Sequence, residues 1–232
     1  MYRRLDSKPL LDTATLLRRR IEERFPESSL SRVAAELEAV TGEAAAFSDA
    51  VGRPNYPLRV AVGLGVMVVV GVVVGLVSRL PITGATPSWS DLVQGLEALV
   101  NDCVFVAIAV FFLLSLEPRR KRRQVLTALH TLRSLAHIVD MHQLTKDPDR
   151  LIVGGPDTAS SPARTMTAFE LARYLDYSTE MLAIVAKIAA LYVQEFADPI
   201  ALDAAGSVQA LAVDLSRAIG QKIMLLDRRP PA

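Results

Sequence analysis

The chain has very little cysteine: Cys103 is the only one among 232 residues. That excludes a disulfide framework and any zinc site built on several thiolates. Aromatic residues are also sparse, at 6%. Charge of one sign is missing as well, since 26 Lys and Arg face 25 Asp and Glu for a net charge of +1. With no basic excess and no basic patch interleaved with aromatics, nucleic acid is not an expected partner. Phosphate-binding Walker loops, His-Glu-x-x-His zinc helices, Gly-x-Ser-x-Gly elbows and Cys-x-x-Cys pairs are all absent. Gly63-Leu-Gly65 begins a dinucleotide fingerprint, but Val68 occupies the last glycine position and the run is apolar throughout. No cofactor or metal is therefore expected, and no catalytic residue is assigned.

Apolar residues are plentiful and unevenly placed. Mean hydropathy is +0.29 although 22% of residues are charged, so the apolar side chains must be concentrated. Val60 to Val77 carries no charged or strongly polar side chain. As a helix, its 18 residues would rise about 27 Å, close to the hydrocarbon thickness of a bilayer. A first span is expected over 58–80, with Arg59 and Arg79 at its ends. A second is expected over 96–116, apolar without interruption from Cys103 onward but holding Asn101 and Asp102. Between them PITGATPSWSD has turn composition, and Trp89 is placed as an interfacial anchor.

Cations set the expected orientation. The connecting loop has none, whereas Arg119, Arg120, Lys121, Arg122 and Arg123 follow the second span. Both termini are expected in the cytoplasm, with those five side chains meeting lipid headgroups. The opening residues hold no apolar run, so a cleavable signal peptide is not expected. Richness in Ala, Val and Arg suggests a bacterial cytoplasmic membrane.

Outside the apolar runs the spacing is helical, with start and stop signals and no period-two alternation. The expected fold is all-α: a two-helix transmembrane hairpin and a cytoplasmic helical bundle built from the N-terminal and C-terminal segments. The expected segments are 1–57, 58–116 and 117–232. Helices are expected over Thr13–Phe25, Ser29–Ala50 and Arg119–Lys146, the last either beginning afresh at Pro118 or continuing the span through a kink. Asp147–Thr165 reads as a long loop. Thr167-Ala-Phe-Glu170 matches a capping box that opens a helix to about Phe196. Asp198-Pro199 starts the last helix, buried along Val208, Leu211, Leu215, Ile219, Ile223 and Leu226 and breakable at Gly206. The apolar run MLAIVAKIAALYV carries Lys187 at its centre and is expected in the bundle, not the bilayer.

Two polar rows are the candidate ligand or partner sites. His130, Arg133, His137 and Asp140 are spaced three, four and three apart and so share one helix face. The histidines lie about 10 Å apart along the axis, too far to share a metal ion. The row has three readings: internal salt bridges and hydrogen bonds, an effector site, or acid-base work by His137 held by Asp140. Arg173, Asp176, Tyr177, Glu180 and Lys187 form a second row, able to pair with the first or to line a groove or interface. In the membrane, Gly71 and Gly75 allow close helix packing, and Arg79 with Asp102 makes an outer-interface polar pair.

The expected role is that of a membrane-anchored scaffold, adaptor or sensor that self-assembles or recruits a soluble protein, in a chain with no enzyme motif. The alternative is an oligomeric pore gated by its cytoplasmic helices.

Overall fold

The computed structural model describes residues 4–51, 56–78, 88–146, 148, 159–161 and 166–227. Among these, every regular element is an α-helix. The chain divides into two compact units, one of Met1–Gly52 with Arg122–Ala232 and the other of Arg53–Lys121.

In the first unit, α1 (Ser7–Arg24) begins two turns earlier than its apolar spacing predicts. The cause is Asp6, whose side chain accepts the backbone N–H of Lys8 as an N-cap, with Pro9 tolerated in the first turn. A turn with Glu27 at φ 55° leads into α2 (Ser29–Val51). There Leu30, Val33, Ala34, Leu37 and Val40 form the buried face.

α5 (Leu116–Leu144) crosses the boundary between the units. In the first unit it contributes Val125, Leu129, Leu132, Leu135, Ala136 and Val139 to the core. The central helix is α6 (Ala168–Gln194), packed on α1, α2 and α7. Its start is the expected capping box: the Thr167 hydroxyl accepts the Glu170 N–H, and the Glu170 carboxylate accepts the Thr167 N–H. Its apolar run is core, with Met181, Leu182, Val185, Ile188 and Ala189 all at 0% exposure.

α7 (Pro199–Asp227) follows the Asp198 cap and runs unbroken through Gly206, where a Cβ would meet nothing within 4 Å. Of its expected stripe, Val208, Ile219 and Leu226 are buried, and Leu211, Leu215 and Ile223 pack half-buried on the core. Most of the loop expected over Asp147–Thr165 lies outside the described residues, as do Arg79 and most of the connecting turn before Ser88.

The second unit contains α3 (Tyr56–Ser78), packed on α4 (Trp89–Leu114), and the first residues of α5. α4 begins two turns before the expected span, because WSDLVQG is helical as well. Pro118 has no N–H to offer the Leu114 carbonyl, which accounts for the break at Ser115. Hydrogen bonds from Ser115 to Phe111 and from Arg119 to Ser115 continue across it. The start of α5 is thus both a fresh first turn and a continuation.

Among the described residues one helical run, Val93–Leu144, which takes in most of α4 and all of α5, is long and apolar enough to cross a membrane, and none of its apolar window is buried. The apolar stretch Arg59–Gly75 in α3 is shorter than that length. Both helices present large side chains outward, among them Leu64, Met67, Phe105 and Phe111.

Candidate functional site

The α5 row divides on folding. His130, Arg133 and His137 are exposed, opposite the buried face of the same helix. Asp140 is half-buried, and its carboxylate accepts a 2.6 Å hydrogen bond from Gln143 Nε2. Gln143 is buried, and its Oε1 accepts Lys222 Nζ at 2.6 Å from α7. Asp140 therefore ends a relay that joins the last turns of α5 and α7. Gln143 lies outside the row that the sequence spacing picks out. Its signal is positional: it continues the buried spacing of Leu132, Ala136 and Val139.

The α6 row takes its partners from α1. The Arg20 guanidinium lies 5.2 Å from the centre of the Tyr177 ring and pairs with Glu180 at 2.9 Å, with a second contact at 3.4 Å. Arg173 lies 5.7 Å from the same ring and pairs with Asp176. Phe25 meets Tyr177 edge-on at 6.4 Å, and the tyrosine is buried beneath the two cations. Such an arrangement holds a guanidinium by the ring quadrupole and a carboxylate together, and it fixes α1 against α6. Arg20 is the residue missed by reading α6 alone. Lys187 is exposed, and its described hydrogen bond goes to the Ala183 carbonyl of its own helix at 3.3 Å.

The five cations after α4 have different surroundings. Lys121 and Arg59 both reach Glu117 at 3.0 Å. Arg119 lies over the Phe112 ring at 5.4 Å, and Arg120 and Arg123 are exposed. Arg122 binds Asp198, whose other oxygen accepts the N–H groups of Ile200 and Ala201. The guanidinium, foremost, and the two backbone donors hold the Asp198 carboxyl below the ordinary aspartate value.

Between α3 and α4 the close approach is at Gly65, where a Cβ would lie 3.3 Å from Leu113 Cδ1. At Gly71 and Gly75 a Cβ would meet nothing within 4 Å among the described residues. Asp102 is exposed on α4, and so is Cys103. Among the described residues no three His, Cys, Asp or Glu side chains gather to hold a metal ion.

A cavity of about 550 Å³ lies between the start of α1 and the middle of α6, with Lys187 and Glu180 in its lining. The segment leading into α1 is fastened by Gln194, which accepts the Leu5 N–H at 2.7 Å and donates to the Leu5 carbonyl at 3.2 Å. Compared with known protein families, curated proteins and solved structures, the chain matches none.

Proposed function

We propose that the chain is a membrane-anchored helical scaffold, adaptor or sensor module. In this reading α3 and α4 form a two-span hairpin in a bacterial cytoplasmic membrane, with both ends of the chain on the cytoplasmic side. The helical bundle then assembles with further copies or recruits a soluble protein there.

One observation carries the reading. No residue of α4's apolar window is buried, although α3 packs along one side of it, while the bundle buries its own apolar side chains in a separate core. An exposed apolar helix of that length needs a solvent other than water. Arg119, Arg120 and Arg123 suit anionic headgroups, whereas Lys121 and Arg122 are already engaged by carboxylates.

The test is the native mass of the protein released from nanodiscs, with co-purifying proteins identified in the same spectrum. A defined oligomer or a stoichiometric soluble partner is expected. Release of the protein from membranes by high salt or carbonate would refute the anchor.

A second reading, an oligomeric pore gated by the bundle, is favoured by Asp102. A carboxylate exposed on an apolar helix is costly in hydrocarbon unless it faces water or a partner. Dye leakage from vesicles that disappears in Asp102→Asn would favour the pore, and tight vesicles would dismiss it.

A further inference from the structure

The cavity between α1 and α6 carries an assignment independent of the anchor, since all its walls belong to the bundle. Its volume of about 550 Å³ falls in the range of small-molecule sites. Leu5, Pro9 and Leu10 on one side and Ala183 and Ile184 on the other make its lining mainly apolar. The Leu5 wall is held by the two hydrogen bonds to Gln194, so the groove is formed before any ligand arrives.

Four ionic side chains also line it, and three are committed within the bundle. Arg4 pairs with Glu195 at 2.9 Å. Asp6 accepts the Lys8 N–H as the cap of α1, whose positive N-terminal end offsets its charge, and Glu180 is held by Arg20. Lys187 differs: among the described residues no carboxylate lies within ion-pair distance of its ammonium, which donates only to the Ala183 carbonyl. Glu180, the nearest acid before it on α6, is two turns away, about 10 Å along the axis. An apolar groove with one uncompensated cation at its side selects a molecule with an apolar body and a single negative charge.

We infer that this groove binds a small amphiphilic carboxylate, with its hydrocarbon chain against Leu5, Leu10 and Ile184 and its carboxylate on Lys187 Nζ. The ammonium supplies charge-assisted hydrogen bonds. The chain replaces water on the apolar walls. A cationic amphiphile is disfavoured, because the carboxylates at the groove already have partners.

Octanoate is the probe, added to the full chain in zwitterionic nanodiscs. The readout is the acetylation rate of individual lysines by mass spectrometry under limiting reagent. At about ten times Kd, mass action leaves Lys187 about tenfold less reactive, while Lys222 and Lys146 serve as unchanged references. Octanol and octylamine should give no protection at the same concentration. Ala183→Glu places a carboxylate one turn before Lys187 at an exposed position and should abolish protection without changing the melting curve. Lys187→Glu should reverse the preference, so that octylamine and not octanoate gives a saturation-transfer NMR signal. The inference fails if Lys187 is unprotected, if octanol protects equally, or if either variant still prefers octanoate. It also fails if Lys187 becomes protected by raising protein concentration without octanoate, which would assign the groove to a second copy.

Discussion

Arg122 and Asp198 meet through a single carboxylate oxygen: Nε and Nη2 of the arginine lie 2.8 and 2.5 Å from Oδ2. The other oxygen, Oδ1, accepts from Ile200 and Ala201 at 3.1 Å each, so one side chain caps α7 and ties it to α5. The two roles can be separated by substitution. Asparagine is also a good N-cap, so Asp198→Asn keeps the cap and loses the ion pair, whereas Asp198→Ala loses both. Asp198→Ala is expected to melt about 2–4 °C below Asp198→Asn, the shift that loss of a cap causes in a domain of this size. Equal melting temperatures would show that the cap is not in use.

The same carboxyl sets an acid dependence. Its value in the fold lies below that of an unfolded aspartate, first because of Arg122. The stabilisation is therefore complete above the ordinary aspartate value and is lost as pH falls through the folded one. Thermal melts of wild type and Asp198→Asn should differ at neutral pH and converge in acid. A gap that stays constant down to the lowest pH would assign the difference to packing.

At the alkaline end, Tyr192 is the group to watch. Burial, and then the Glu43 carboxylate, push its phenol up to about 12. The fold favours the neutral ring, so stability is full below the ordinary tyrosine value near 10 and lost as pH rises through about 12. Tyr192→Phe keeps the ring beside Phe47, whose centre lies 5.2 Å away, and removes the ionisation. Its alkaline unfolding midpoint, followed by circular dichroism, should lie above that of the wild type. An unchanged midpoint would place the cause in another group.

Core truncation should distinguish α6 from the surface. Leu182 is fully buried, and Leu182→Ala should cost about 2–5 kcal/mol in denaturant unfolding. Leu16 is 59% exposed, and Leu16→Ala should stay within about 0.5 kcal/mol. Similar losses at both positions would mean that Leu16 is covered in solution.

In the second unit the glycines should behave unequally. Gly65→Ile drives side-chain atoms into Leu113 and should loosen α3 from α4, seen as faster hydrogen exchange around Leu113 in nanodiscs. At Gly71 and Gly75 an added Cβ meets nothing within 4 Å among the described residues, so Gly71→Ile with Gly75→Ile should leave the α3–α4 contact in place. If the proposed self-assembly uses that face, the double variant lowers the native mass and leaves exchange at Leu113 unchanged. Unchanged mass would remove the Gly71–Gly75 face from assembly.

What could be read in the sequence was what local rules decide. The Thr167–Glu170 box and the Asp198-Pro199 start follow from residues within a turn of each other. Apolar spacing places the start of α1 too late, because it begins only after the Asp6 cap and Pro9 have already set the helix. The polar rows were visible as rows, but their partners were not. Arg20 lies 160 residues from Glu180, and Lys222 lies 79 from Gln143, and nothing in either helix's own spacing names the other. Gly71-xxx-Gly75 was the recognisable motif, yet the contact with α4 falls at Gly65, because a motif marks a surface able to pack without specifying what packs there.

The joining in one core of segments made before and after α3 and α4 also dictates an order of synthesis. Phe25 rests edge-on against Tyr174, 5.6 Å between ring centres, and α2 packs on α6. When α1 and α2 leave the ribosome, α6, which packs on both, has yet to be translated. Domains otherwise tend to fold as they emerge, and contacts distant in sequence form slowly. α1 and α2 can pack on each other, but the apolar surface that each turns to α6 must wait while α3, α4 and α5 are made. During that interval the nascent chain is most open to chaperones and to aggregation, and a stall in translation before α6 would leave it there.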